Sequence, residues 1–415
     1  MTAIILAAGR GTRMRSDNPK VLHRMLGRPI ISYIIDFLNE AGVKDAVVVT
    51  GYGAGQLKDM LGNDAKAVIQ KRLLGSGHAV MSAVKALARG QKDVLVICGD
   101  TPLIRASTIK EMVARHRSSG VSATVLTARL TDPSGYGRIL RSGSGRIIKI
   151  MEEEEAHSHG QVVNEVNVGT YCFKKDALFD ALKGIRPDNK KKEYLLTDVI
   201  EILHKRGAVI ESVLVKDTDE MIGINTRRDL AFAVKTLKNR ILDELMLGGV
   251  TIEDPSSVTI YPGVKIGHDT IIYANTYIES CVEIGKDCRI GPFTRLRKDT
   301  HIGDRSEIGN FVELVRTRVG VDTKIKHHTY LGDAIVGKHV NIGAGVITAN
   351  YDGKNKNRTV IEDGAFIGIG ARLIAPVRIG QRAVVGAGAV VPKNHNVPNG
   401  ATVVGVPAKI LSRVR

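Results

Sequence analysis

Apolar positions along this chain keep two rhythms. From Ile266 to Leu314 an aliphatic residue stands at every sixth position, through Ile272, Ile278, Ile284, Ile290, Leu296, Ile302 and Ile308. The pattern slips near residue 315 and returns as Ile361, Ile367, Leu373, Ile379, Val385, Val391, Val397 and Val403. A helix repeats its apolar stripe about every 3.6 residues and a strand about every 2, so neither generates six. A hexapeptide β-helix does, because each six-residue side of a coil turns one aliphatic side chain inward. Such a solenoid is a rigid prism, so its chemistry is expected where the repeat breaks. The breaks at 315–331 and 348–360 hold His327, His328, Tyr330, Asn350 and Tyr351.

Residues 1–222 instead alternate strand and helix patterns. Thr2–Ala8 reads as a fully buried strand. Pro29 opens a helix pattern ending near Ala41-Gly42. Ala46–Thr50 and Val94–Cys98 read as further strands, and Gly77–Ala88 as a helix. This alternation predicts a parallel sheet covered by helices, with ligands beyond the carboxyl ends of the strands. Gly9 and Asp100 both fall at such ends and are expected to face one crevice. Asn225 can cap a long helix in which Leu230, Val234, Leu237, Ile241 and Leu245 recur at spacings of three and four. Gly248-Gly249 ends it. The expected organisation is α/β: a Rossmann-like domain over 1–224, a helical linker over 225–249, and a left-handed parallel β-helix over 250–415.

Composition narrows the partners. Aromatic residues are only 4% of the 415 and Trp is absent, while glycine reaches 44, which suits a solenoid filled with small aliphatic side chains. The net charge of +17 admits anionic partners. Lysine and arginine are spread along the chain and no nucleic-acid motif appears, so phosphorylated small molecules are expected and nucleic acid is not. Cys98, Cys172, Cys281 and Cys288 show no CxxC or zinc spacing and read as reduced thiols of a cytoplasmic protein. No 18-residue apolar run exists, and Met1-Thr2-Ala3 enters a strand without a basic segment, so membrane insertion is not expected.

The segment Leu6-Ala7-Ala8-Gly9-Arg10-Gly11-Thr12-Arg13-Met14 leaves a buried strand for a glycine turn. Gly9 and Gly11 let backbone amides approach a phosphate closely, and Arg13 and Lys20 add charge. It is neither a Walker A loop nor a dinucleotide fingerprint, because Met14 stands where a third glycine belongs. This segment with the following Pro19-Lys20-Val21-Leu22-His23 looks like the signature of sugar-nucleotide pyrophosphorylases. With a hexapeptide β-helix behind it, the chain resembles the bacterial bifunctional N-acetylglucosamine-1-phosphate uridyltransferase/glucosamine-1-phosphate N-acetyltransferases nearly end to end.

The resemblance implies roles for matching positions. Leu6, Ala7, Ala8, Gly9, Gln70, Gly75, Ser76 and Gly99 would contact the nucleotide. Ser76 keeps the hydroxyl of the more usual Thr, and Cys98 replaces a frequent Tyr. Arg13 and Lys20 would hold the triphosphate and sugar phosphate. Asp100 and Asn225 would hold Mg²⁺, an oxygen pair that suits this ion when phosphates and water complete the shell. Gly137, Glu152 and Asn167 would read the sugar; the register of Ile148-Lys149-Ile150-Met151 selects Glu152 from its run of glutamates.

For acetyl transfer, a histidine can take the proton of the attacking amine, a contribution of about 10²–10⁴-fold. The resemblance makes His327 that base, with His328 a neighbour pointing to the opposite face. Arg297, Tyr330 and Asn341 would bind the sugar phosphate. Asn350 and Tyr351 would stand near the acetyl group, and Ala344, Ala387 and Lys356 would line the path of coenzyme A. Val315 departs from a usual phosphate-binding Lys, so Arg316 or another Lys must compensate, or the Michaelis constant for glucosamine 1-phosphate will be high. Ile369 replaces a usual Ser, and Val404 falls where a late Arg is expected. The resemblance implies synthesis of UDP-N-acetylglucosamine from glucosamine 1-phosphate, acetyl-CoA and UTP by a homotrimer. The alternatives are a nucleotidyltransferase of other sugar or base specificity with the prism as trimerisation scaffold, or a regulatory nucleotide-binding domain beside an assembly scaffold.

Overall fold

The computed structural model describes residues 1–87, 90–156, 163–190 and 192–411. The chain divides into two compact units, Met1–Val234 and Lys235–Arg415.

In the first unit the strand Thr2–Ala7 lies at the centre of a sheet. On one side follow Asp45–Thr50 and Lys66–Ile69; on the other follow Asp93–Cys98, Glu165–Lys174, Ala123–Arg129 and Ile210–Leu214. All pairings along this path are parallel except those of Glu165–Lys174. The central strand is a continuous apolar run because both its faces are covered. Ala3, Ile5 and Ala7 pack into one apolar cluster, and Ile4 and Ala8 into the other. Helix Ile30–Glu40 follows Pro29 and buries Ile30, Ile31, Ile34, Ile35, Phe37 and Leu38 at helical spacing. The segment expected as Gly77–Ala88 is a helix over Ser76–Ala83 and a 3₁₀ turn over Val84–Ala86; Ala88 lies outside the described residues.

The chain leaves the central strand toward Asp45–Thr50 and later returns on the opposite side with Asp93–Cys98. This reversal is a topological switch point, where the strand ends open a crevice. Gly99 N–H donates to the Leu6 carbonyl at 2.8 Å, which holds the ends of the two strands, ahead of Gly9 and Asp100, side by side.

The second unit is a left-handed parallel β-helix whose coils stack into three faces. The first face runs from Thr251–Ile252, the second from Thr259–Ile260 and the third from Lys265–Ile266. The inward column of the first face reads Ile272, Ile290, Ile308, Ile325, Ile342, Ile367 and Val385, paired in register. Ile308 is fully buried, and its truncation to Ala costs about 2–5 kcal/mol because a close-packed prism cannot collapse around the cavity.

The pairing corrects one expectation: residues 315–331 are not a break. Ile308 pairs Ile325 and Leu314 pairs Leu331 without interruption. The period slips because Leu314 to Val319, and again Leu331 to Val336, span five positions instead of six. The segment between Ile347–Ala349 and Thr359–Ile361 is an insertion. These two slips and the insertion fall on one edge, between the second and third faces.

The helix Arg227–Leu247 is capped by Thr226, not by Asn225. Thr226 Oγ1 accepts the Asp229 N–H at 3.1 Å, and an Asp229 carboxylate oxygen accepts the Thr226 N–H at 2.7 Å, a reciprocal capping box. The Asn225 side chain is thereby free for other work.

Candidate active sites

At the switch point, four side chains from separate segments meet. Lys20 Nζ donates to Asp100 Oδ2 at 2.5 Å and to Asn225 Oδ1 at 3.1 Å. Arg13 Nη2 donates to the same Asn225 oxygen at 3.0 Å. Gly11, at φ +61, leaves no room for a side chain, because a Cβ there would lie 2.8 Å from that of Lys20. The Lys20 ammonium thus sits between a carboxylate and an amide oxygen, the position a cation takes. The donor set fits the expected Mg²⁺, which keeps water and substrate phosphate in its shell. Among the described residues there is no cluster of three or more His, Cys, Asp or Glu that could hold a metal alone.

Leu6, Ala7, Ala8 and Gly99 lie where the two strands end. Gln70 is buried; its Nε2 donates to the Gly75 carbonyl at 3.1 Å and lies 2.9 Å from His78 Nδ1. The Ser76 hydroxyl oxygen accepts the Leu196 N–H at 2.9 Å, so this expected nucleotide contact also ties down a loop. Gly137 and Glu152 share the lining of a cavity of about 970 Å³. The Asn167 N–H donates to the Gly137 carbonyl at 2.9 Å, which gathers the three expected sugar readers. Thr197 Oγ1 donates to Glu152 at 2.7 Å, the Gly135 N–H donates to Glu153, and Lys149 engages Glu155. Burial, then Glu152 and Glu201, push the neighbouring Asp198 carboxyl up to about 6. Burial raises the Cys98 thiol to about 12, so it is no nucleophile.

One residue here has no counterpart in the sequence reading. Arg227 Nε donates to the Met14 carbonyl at 3.3 Å, and its Nη1 donates to His23 Nδ1 at 3.1 Å. It joins the glycine turn and the Lys20 segment to the start of the helix behind Asn225. Burial and the Arg227 charge hold His23 below its ordinary pKa, in the neutral form that can accept this bond.

The prism arranges its candidates differently. His327 ends the first-face strand Lys324–His327, is exposed, and lies 3.1 Å through Nδ1 from Asn310 Oδ1. Asn341 begins the first-face strand one coil on, paired with Lys324. Arg297 and Tyr330 stand on the second face. A Cβ on Gly332 would lie 2.6 Å from both the Tyr330 hydroxyl and Asn350 Nδ2, so this glycine lets the two converge. Asn350 is buried and donates to Asp333 at 2.5 Å. Tyr351 and Lys356 bridge the exposed insertion, where Asp352 accepts the Lys354 and Asn355 N–H groups, which hold its carboxyl far below the usual range. Ala344 and Ala387 lie along the edge above His327, with Ile369 between them, 65% exposed.

Residues 3–197 match the MobA-like NTP transferase domain family, and residues 281–316 and 358–393 match the bacterial transferase hexapeptide family of six repeats. The bifunctional protein GlmU of Heliobacterium modesticaldum is 42% identical over 97% of this chain and 95% of its own length. That of Pelotomaculum thermopropionicum is 44% identical over 91% of this chain and 90% of its own. That of Carboxydothermus hydrogenoformans is 43% identical over 95% of both. The chain belongs to the bifunctional GlmU family.

As a GlmU family member it is a nucleotidyltransferase and an acetyltransferase, and the scaffold readings are not favoured. One sequence expectation within the second unit needs correction, the direction of His328. Both Nε and Nη2 of Arg316 donate to Asp333, at 2.6 and 2.8 Å. Val315 itself is buried, in register with Gly332. Arg297 is also paired, with Nη1 donating to Glu313 at 3.1 Å. His328 does not point to the opposite side of a strand. The strand has ended, and His328 turns the corner at φ +44 with its ring stacked on Phe311, centroids 5.0 Å apart.

Proposed function

We propose that the convergence of Arg13, Lys20, Asp100 and Asn225 at the switch point is the uridylyl-transfer site. The protein makes UDP-N-acetylglucosamine by N-acetylating glucosamine 1-phosphate and then joining the product to UTP. The four-residue convergence is the observation that carries the assignment, because phosphoryl transfer is chiefly positioning and charge neutralisation. A phosphate oxygen of the sugar attacks the α-phosphorus in line, and pyrophosphate leaves. The nucleophile is already an anion, so no general base is required. Asp100 and Asn225 would hold Mg²⁺, which neutralises phosphate charge when bound. Lys20 and Arg13 then turn from these oxygens to the phosphates, while Gln70, Gly75 and Ser76 orient the base and Gly137, Glu152 and Asn167 the sugar.

In the prism, His327 takes the proton of the glucosamine amine as its nitrogen bonds the acetyl carbon. The carbon–sulfur bond breaks and coenzyme A departs as its thiol. Arg297, Tyr330 and Asn341 receive the sugar phosphate, and Asn350, Tyr351, Ala344, Lys356 and Ala387 the acetyl donor. These groups lie on two faces and an insertion. That arrangement supports a homotrimer in which one prism's edge meets another's face in closed cyclic symmetry. All four cysteines are unpaired, which suits a cytoplasmic setting. No helix among the described residues is long and apolar enough to cross a membrane.

The test is purified protein with glucosamine 1-phosphate, acetyl-CoA, UTP and Mg²⁺, products resolved by mass. UDP-N-acetylglucosamine is the expected product. UDP-glucosamine without acetylation would refute the second site, and free N-acetylglucosamine 1-phosphate alone would refute the first.

A further inference from the structure

The edge between the second and third faces carries a column of charge. Asp299, Arg316 and Asp333 stand on it in successive coils, at φ +63, +48 and +52. The Arg316 N–H donates to the Lys298 carbonyl and the Asp333 N–H to the Val315 carbonyl, which stacks the three. Beside them His301 and Arg318 occupy matching outward positions of the third face, paired in register. The Thr359 N–H donates to the Asp333 carbonyl at 3.3 Å, which brings Arg358 to the same corner from the coil above. These six residues line a cavity of about 450 Å³.

The arginines of the cavity differ in their partners. Elsewhere on the prism Arg295, Arg297, Arg305 and Arg378 each meet a carboxylate. Arg316 does the same, with Nε and Nη2 on Asp333 at 2.6 and 2.8 Å. Arg318 and Arg358 do not: among the described residues, neither guanidinium has a carboxylate or carbonyl partner. His301 lies 3.2 Å from Glu283, outside the cavity. Three arginines therefore line the cavity against two aspartates, and Asp333 is already bonded on both sides. Its second partner is Asn350, whose Nδ2 donates to it at 2.5 Å. The Arg316 hydrogen bonds, then the Asn350 amide and the Lys356 charge, hold the Asp333 carboxyl below its ordinary range in spite of burial. Asp333 thus joins the cavity to Asn350 and Lys356, two groups read as contacts of the acetyl donor.

We propose that this cavity on the third face binds a diphosphate anion, and that its occupation slows acetyl transfer by drawing Arg316 away from Asp333. This rests on the reading of Asn350 as an acetyl-donor contact. A diphosphate has oxygens enough for paired hydrogen bonds to three guanidinium groups, which a single phosphate has not. Its charge competes with the Asp333 carboxylate for Arg316. Once Arg316 turns to the anion, Asp333 loses the fork that fixes the plane of its carboxylate. The Asn350 amide is then no longer held in one place, and the donor binds less well. By linkage the donor weakens the anion to the same degree. Nucleotidyl transfer releases pyrophosphate, so the free anion is a product of the chain's other activity.

The experiment follows acetyl transfer by thiol release in the full-length protein, without UTP or Mg²⁺ so that the first unit turns over nothing. Millimolar pyrophosphate raises the KM for acetyl-CoA by about 5-fold or more, the lower end of ordinary coupling between sites. UDP is the second probe: an equal effect names the diphosphate group whichever molecule carries it, and an effect of pyrophosphate alone names the free anion. Arg318→Gln and Arg358→Gln keep the basal KM and lose the pyrophosphate effect. Arg316→Gln shows the raised KM with no anion added and gains nothing further from it. Wild-type protein that ignores pyrophosphate overturns the inference. So does an effect retained in full by Arg318→Gln and Arg358→Gln, as competition at the acetyl-transfer site itself would give. A basal KM for acetyl-CoA raised by Arg318→Gln makes the cavity part of the donor's own site and overturns it as well. Asn350→Ala separates the two readings. If that variant leaves the KM for acetyl-CoA unchanged, the role given to Asn350 fails; if it raises the KM while pyrophosphate does nothing, only the present inference fails.

Discussion

The two units place their functional groups in opposite ways. At the switch point, Arg13, Lys20, Asp100 and Asn225 come from four stretches of chain and are already bonded to one another. On the prism, His327 contacts Asn310, Arg297 contacts Glu313, and the buried Asn350 contacts Asp333, with no bond joining one pair to another among the described residues. A sheet with a reversal in its strand order gathers distant segments, and the proposed uridylyl-transfer site draws all four groups from one chain. The groups of the proposed acetyl-transfer site lie on separate faces of the prism, and the proposed homotrimer would bring a second prism to them. The difference is one of architecture, and it predicts how each site fails.

His327→Ala should show the largest effect. Acetyl transfer falls by about 10²–10⁴-fold, the usual loss for a general base, while uridylyl transfer is retained. Steady-state acetylation from pH 6 to 9 checks it, and His328→Ala in the same series should lose less; the reverse order would place the base one residue on. Asp100→Ala should cost uridylyl transfer about 10²–10³-fold, the scale of losing a preorganised charge-stabilising group, and spare acetyl transfer. Loss of both activities in a folded protein would end the separation of sites.

Arg227→Met sharpens the first half of the comparison. If the crevice depends on the tie between Met14, His23 and the helix start, this variant should lower uridylyl kcat/KM by about 10-fold, mostly through kcat, as a misplaced Lys20 would. Arg227→Lys should recover part of it. A change confined to thermal stability would make Arg227 merely structural.

The smallest effect concerns stability. Asp198 titrates at about 6 in the folded protein against about 3.8 ordinarily, so the native state binds the extra proton. Its stabilising contribution is full below the ordinary value and is lost as pH rises through 6. Asp198→Asn removes that loss and should raise stability near pH 7.5 by about 1 kcal/mol, discounted for partial exposure, with little gain at pH 3.5. Denaturant titrations at the two pH values measure it, and an equal effect at both would contradict the assigned cause.

The sequence exposed the architecture more fully than the sites. The hexad is legible because each coil must turn one aliphatic residue inward, and the crevice because Gly9 and Asp100 follow apolar strands. The slip after Leu314 reads as a break only because spacing cannot reveal that Leu314 still pairs Leu331. Strand alternation sends His328 to the wrong side because the strand ends at the corner it turns. Thr226-Arg227-Arg228-Asp229 has the spacing of a capping box, a signal that outweighs the general capping preference of Asn225. Arg227 left no local sign, since its partners Met14 and His23 lie more than two hundred residues away. The carboxylates that occupy Arg297 and Arg316 are likewise set by stacking of coils, which a linear reading cannot supply.

The most direct test of the contrast is complementation between inactive variants. His327→Ala and Arg297→Ala proteins are each assayed alone, then mixed, dissociated and reassembled. Lys20→Ala and Asp100→Ala proteins are treated identically. The first mixture should regain a measurable fraction of acetyl transfer, because some shared sites then hold both wild-type groups. The second mixture regains no uridylyl transfer, because each crevice belongs to one chain. Recovery of uridylyl transfer, or none of acetyl transfer in a mixed assembly of verified composition, would contradict the contrast.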